Sequence, residues 1–103
     1  METQISISEW AQQTFGVATS PKKLVERFVE EVVELDAKSA FHGLMTPKNF
    51  DAIQDECADC LVVLYQVAEA YGFDLLTAVD QKMEINRARK WKTAGDGVGQ
   101  HID

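Results

Sequence analysis

Four carboxylates in this chain recur at one spacing. Glu31 and Glu34 stand three residues apart, and so do Glu56 and Asp59. At about 100° per residue, side chains three apart share a helix face, so each pair can converge on one point. Glu31 lies at the edge of the apolar arc made by Leu24, Val25, Phe28, Val29, Val32, Val33 and Leu35. Glu56 falls inside the arc of Phe50, Ile53, Cys57, Cys60, Leu61, Leu64, Val67 and Tyr71, and Asp59 lies just off its edge. An ionised carboxylate turned toward a core costs several kcal/mol unless it is compensated, and a cation is the most economical compensation. On a later segment Leu75 and Val79 set a buried stripe, which continues by threes and fours through Lys82, Asn86 and Arg89. Four acids on two helices and two bases on a third can therefore meet at one interior site.

Carboxylates with no histidine among them favour a hard cation such as Mg²⁺, with Mn²⁺ as a substitute, over zinc. Four of them around one ion leave excess negative charge. Either a second ion joins with substrate, or one carboxylate acts as general base. Lys82, Asn86 and Arg89 are donors suited to a phosphate chain. Singly, each group has a plainer reading. Glu31 and Glu34 with Arg27 and Lys38 fit a ladder of surface ion pairs, and Lys82 and Arg89 fit side chains that snorkel past a core edge. Their coincidence on three helices favours a site. The chain has no glycine-rich phosphate loop, so phosphate recognition would run through a metal.

The elements that must position these residues are helices. Ser6 with Glu9 reads as a capping box opening a short helix to about Thr14, closed by Phe15-Gly16. Ser20-Pro21 opens a second helix reaching about Ser39, and Thr46-Pro47 a third ending near Tyr71-Gly72. Asp74 caps a fourth that reaches about Trp91. From Thr93 on, Gly95, Gly97 and Gly99 predict a loop or tail. Asp36 points along the buried arc of its helix without an evident reason. The expected fold is all-α: one short N-terminal helix plus three longer helices in a bundle.

With 103 residues the chain is at most one domain and buries a modest core. Apolar surface stays uncovered unless copies pair, so a homo-oligomer is expected. The net charge of −7 repels nucleic-acid backbones and anionic membranes, while a small anionic substrate stays compatible with it where a metal ion or local cations screen the repulsion. No apolar run approaches the roughly 18 residues a bilayer requires. Met1 to Glu9 lacks the pattern of a signal peptide, making a cytoplasmic setting the default expectation. Cys57 and Cys60 sit well inside the third helix and read as small buried hydrophobes rather than a redox pair or zinc site.

The ordered set Glu30-Glu31-x-x-Glu34-Leu35, Glu56-x-x-Asp59 and Lys82-x-x-x-Asn86 resembles that of MazG-like all-α nucleotide pyrophosphohydrolases, over nearly the whole chain. Trp10-Ala11-x-x-Thr14-Phe15-Gly16 resembles the opening of short stand-alone members. Asn86-Arg87-Ala88-Arg89-x-Trp91 with Gly95-Asp96-Gly97-x-Gly99-Gln100-His101 resembles the dATP/dGTP pyrophosphohydrolase branch. The resemblance implies one helical domain over 1–92 with a glycine-rich tail at 93–103, assembled as a homodimer or dimer of dimers. It implies Mg²⁺-dependent hydrolysis of nucleoside triphosphates, dATP or dGTP preferred, to monophosphate and pyrophosphate. Glu31, Glu34, Glu56 and Asp59 would serve as metal-binding and catalytic residues, with Lys82, Asn86 and Arg89 on phosphates. Glu34 and Glu30 are both candidates for the base.

Trp10, Phe15 and His42 are candidates for stacking on the nucleobase, although Trp10 and Phe15 equally fit packing of the short helix and His42 fits a solvated loop. Other readings stay open: a pyrophosphohydrolase for dUTP, modified nucleotides or phosphoribosyl-ATP, and a non-catalytic helical nucleotide-binding or dimerisation module. Binding alone, however, does not call for four inward carboxylates.

Overall fold

The computed structural model of the chain describes residues 1–40 and 47–102. Its elements are helices α1 (Gln4–Phe15), α2 (Pro21–Ser39), α3 (Pro47–Tyr71) and α4 (Leu75–Ala88), then strands β1 (Trp91–Thr93) and β2 (Gly99–His101). Four helices in the expected order carry the fold. His42 and Thr46 lie outside the described residues, and with them the stacking role considered for His42.

Local chemistry explains most boundaries. α1 begins earlier than expected because Thr3, not Ser6, is the cap. The Thr3 hydroxyl accepts from the Ser6 amide at 3.0 Å, and the Ser6 hydroxyl accepts from the Thr3 amide at 2.8 Å, so Ser6 closes the box from the third helical position. α2 starts at Pro21 as expected, but the Ser20 side chain makes no capping bond. α3 ends at Gly72, where the Phe73 amide donates to the Ala68 carbonyl at 3.1 Å. Asp74 caps α4 by accepting from both the amide and the hydroxyl of Thr77, which holds its carboxyl below the usual range.

α4 stops at Ala88, short of Trp91. The Trp91 indole N–H donates to the Asn86 carbonyl at 2.8 Å, satisfying a helix-end acceptor, and its backbone enters a strand instead. The tail is correspondingly more ordered than a loop. Trp91 pairs with His101, Lys92 with Gln100 and Thr93 with Gly99 in an antiparallel hairpin. Gly95 and Gly97, at φ +84° and +83°, supply the left-handed turn positions that other residues rarely adopt.

Packing is where the single chain departs most from the expected bundle. α2 packs along α3, and α1 crosses α3. α4 turns away from α3 by 96°. The buried apolar set among the described residues is Ile7, Ala11, Val63, Val67 and Ala68. Val29, Val32, Val33, Phe50, Leu61, Tyr71 and Val79, all expected inside, are exposed, as is Cys57; Cys60 is half-buried. α1 and α2 each pack on α3 while α4 turns away, so the sides of these helices that face no partner leave apolar residues uncovered. Asp36 is exposed for the same reason, which removes its anomaly. The radius of gyration is 16.3 Å, against about 13 Å for a compact chain of this length.

One side chain ties these pieces together. Gln4 donates through Nε2 to the Phe73 carbonyl at 2.7 Å and to Glu69 at 3.3 Å, and its Oε1 accepts from the Leu75 amide at 2.9 Å. It thus clamps α1 onto the α3–α4 turn. Replacing it strands a partly buried amide, so Gln4→Ala should lower stability by about 1–3 kcal/mol in urea unfolding.

Candidate active site

Glu31 is the most buried charged residue among the described ones, 4% exposed. It sits where α2 faces α3, and across that seam α3 presents Glu56 and Asp59, one turn apart. One carboxylate oxygen from each of Glu31, Glu56 and Asp59 lies within 4.8 Å of the others. The structure therefore brings three of the four predicted acids together. The fourth, Glu34, is exposed and stands one turn along α2, near enough for its charge to push the Glu31 carboxyl up.

The electrostatics are only partly balanced. Arg27 reaches Glu31 from one turn back and pairs with Glu30 at 2.8 Å, and Lys38 stands 3.7 Å from Glu56. Of the ion-pair ladder considered from the sequence, the Arg27–Glu31 pair forms, whereas Lys38 pairs across the seam with Glu56 rather than with Glu34. Even so, Glu31 Oε2 and Glu56 Oε2 are buried with no hydrogen-bond partner. Burial pushes the Glu31 carboxyl above its ordinary range; Arg27 pulls it back, and Glu34 and Asp59 push it further up. Burial also raises the Cys60 thiol, helped by the nearby acids, so thiolate ligation at this seam is disfavoured. Two orphaned carboxylate oxygens in an all-oxygen donor set fit a hard divalent cation.

A cavity of about 870 Å³ opens from this cluster, within the size range of small-molecule sites. α3 lines it with Asp59, Val62, Val63, Gln66, Glu69 and Ala70, one continuous helix face. Trp10 and Phe15 of α1 also line it, packed edge-to-face with ring centres 5.4 Å apart. Lys23 and Arg27 of α2 add two cations to the wall.

Lys82, Asn86 and Arg89 do not line this cavity. Within one chain α4 carries them away from the acids, because it continues past a sharp turn rather than folding back on α2. Lys82 is exposed. Asn86 is half-buried and Oδ1 has no partner. Arg89 is tied to His101 of the hairpin at 2.9 Å. Sequence reasoning gave no cavity role to Arg27 and Lys23, although Arg27 precedes Glu31 by one turn. It also passed over Ser8 and Gln66; the available signal was a polar residue on an otherwise buried helix face.

The chain has recognisable relatives. A model of the MazG-like family matches residues 22–100. A dATP/dGTP diphosphohydrolase of Cyanophage S-2L is 30% identical over 101 residues, spanning 98% of this chain and 86% of that protein. One of Salmonella phage PMBT28 is 35% identical over 101 residues, and this chain spans only 31% of its length. Among solved structures, the Cyanophage S-2L MazG-like pyrophosphohydrolase bound to dGDP and three catalytic Mn²⁺ ions per active site superposes with a TM-score of 0.70 at 27% identity, covering 97% of this chain and 93% of that one.

The raised Glu31 carboxyl makes a signed prediction for the cation-free protein. A carboxyl whose folded pKa exceeds its unfolded value weakens the fold as pH rises through that range. Glu31→Gln should therefore melt higher than the parent at pH 7 in chelator, and the gap should close near pH 4. Added Mn²⁺ should reverse the order at pH 7, because only the parent gains about 2.7 kcal/mol at a cation concentration a hundredfold above Kd. Thermal unfolding at both pH values, with and without Mn²⁺, reads both effects.

Proposed function

Because this chain belongs to the MazG-like family, we propose that it is a divalent-cation-dependent pyrophosphohydrolase, cleaving purine deoxynucleoside triphosphates to the monophosphate and pyrophosphate. The observation that carries this reading is the Glu31–Glu56–Asp59 cluster, with its two orphaned oxygens, at the mouth of a nucleotide-sized cavity. The substrate class is taken from relatives whose names specify dATP and dGTP.

Glu31, Glu56 and Asp59 would hold the cation, Mg²⁺ or Mn²⁺. When bound, it would neutralise phosphate charge and acidify a nearby water. The chain's own residues do the rest. Glu34, exposed and adjacent to Glu31, is free to take a proton from water attacking the α-phosphorus, whereas Glu30 is committed to Arg27. Arg27 and Lys23 line the wall where the phosphate tail would lie and offset its charge in a protein of net −7. Trp10 and Phe15 offer ring faces and edges for a base. A cytoplasmic setting fits such a substrate.

Lys82, Asn86 and Arg89 belong to this account through a second copy. Leu76, Val79, Met83 and Ile85 leave α4 with an exposed apolar face beside them. We propose a homo-oligomer, a dimer or dimer of dimers, in which α4 of one copy brings these donors toward phosphates held by its partner.

Pyrophosphate release across the four dNTPs with Mg²⁺ or Mn²⁺ tests the function. The parent should cleave dATP and dGTP, and Glu56→Gln should lose about 100-fold or more while staying folded. Mixing Glu56→Gln with Lys82→Ala tests the shared site. Random assortment into dimers should restore roughly a quarter of parental activity if each site draws on both copies. No restoration would place Lys82 outside the partner's site.

A further inference from the structure

Ser8 is an anomaly that the reaction described above does not use. It is 5% exposed, and its Oγ is buried without a hydrogen-bond partner. A helical serine commonly returns its proton to the carbonyl one turn back, and Ser8 makes no such bond. Buried hydroxyls are rarely left unpaired, and one that lines a cavity points to a ligand group. Ser8 lines the same cavity as the acid cluster.

Its place along that cavity is informative. α3 supplies the ruler: at about 1.5 Å per residue, Gln66 lies about 10 Å and Glu69 about 15 Å beyond Asp59 along the helix axis. Gln4 of α1 is bonded to Glu69 and Phe73, and Ser8 follows Gln4 by one helical turn, about 6 Å along its axis, which puts it near the Glu69 end. This is the separation between the phosphates and the base of a nucleotide. The far end therefore holds three polar side chains, Ser8, Gln66 and Glu69, of a cavity that Trp10 also lines. Gln66 Nε2 donates to the Val62 carbonyl at 3.2 Å, which leaves its Oε1 as an acceptor. Glu69 Oε2 accepts from Gln4, which leaves Oε1 as an acceptor.

We propose that Ser8, Gln66 and Glu69 form the base-reading end of the cavity, and that the Glu69 carboxylate selects guanine over adenine. The proposal rests on the pyrophosphohydrolase reading and adds residues and a base preference to it. Guanine presents N1–H and a 2-amino group, two donors side by side, to an acceptor-only carboxylate. Adenine presents a lone pair at N1, which the same carboxylate repels. The Ser8 hydroxyl both donates and accepts, so it serves either purine. A site built to pair with donors discriminates strongly against a base that lacks them.

The test measures kcat and KM for dGTP and dATP on the parent, Ser8→Ala and Glu69→Gln, with thermal melting in Mn²⁺ alongside. Glu69→Gln should raise KM for dGTP about 10-fold or more and leave dATP unchanged or improved. Ser8→Ala should raise KM for both purines about 3- to 10-fold with melting unchanged or higher, since it removes an unpaired group. Both variants should keep the parental Mn²⁺ shift, because neither touches the acids. A parent that cleaves neither purine removes the underlying reading and this proposal with it. A parent that cleaves them, with a dGTP/dATP ratio unmoved by Glu69→Gln, or a KM unmoved by Ser8→Ala, removes this proposal alone.

Discussion

Three carboxylates within 4.8 Å of one another, in a protein of net charge −7, are held there by the α2–α3 seam rather than by their own preference. Everything else at the site depends on this constraint. Apolar contact between α2 and α3 fixes the distance between Glu31 and the Glu56–Asp59 pair, and the flanking ion pairs from Arg27 and Lys38 satisfy only part of the charge. Two carboxylate oxygens remain buried and unpaired. The helices thus store an unfavourable arrangement that a hard cation would relieve, as expected of a metal site pre-organised by its fold.

Much of this was legible in sequence because helix geometry translates spacing into direction. Glu31, Glu56 and Asp59 were singled out by sitting on or near apolar arcs at three-residue spacing, and the seam brings their oxygens together. Pro21, Pro47 and Asp74 marked helix starts within a residue. The misses share a physical cause. Periodicity says which face a residue occupies but not which neighbour that face meets. Lys82, Asn86 and Arg89 were placed on an inward stripe, yet the turn after Gly72 sends α4 away from the acids. Val29, Phe50 and Leu61 were assigned to a core that one chain does not close. The hairpin after Trp91 escaped because three-residue strands carry almost no pattern, and glycines mark turns as readily as tails.

The thin core and the site belong to the same problem. A chain that leaves Val33, Leu76 and Ile85 about half exposed or more has apolar area to bury elsewhere. In the proposed assembly that burial also returns the α4 donors to phosphate, so stability and catalysis would be gained in one step. The cavity, by contrast, is already formed within a single chain by α1, α2 and α3. Asp59 at its acid end and Glu69 at its other end lie on one face of α3, a rigid element that in the proposed reading would fix the distance between the reacting phosphorus and the base.

The central claim is that the α2–α3 seam exists to share a divalent cation. Anomalous diffraction from crystals soaked in Mn²⁺ tests it most directly. The account predicts a peak within coordination distance of Glu31, Glu56 and Asp59 together, with Glu31 and Glu56 using the oxygens now unpaired. Density confined to other surface acids, with the seam carboxylates unchanged at saturating Mn²⁺, would contradict it.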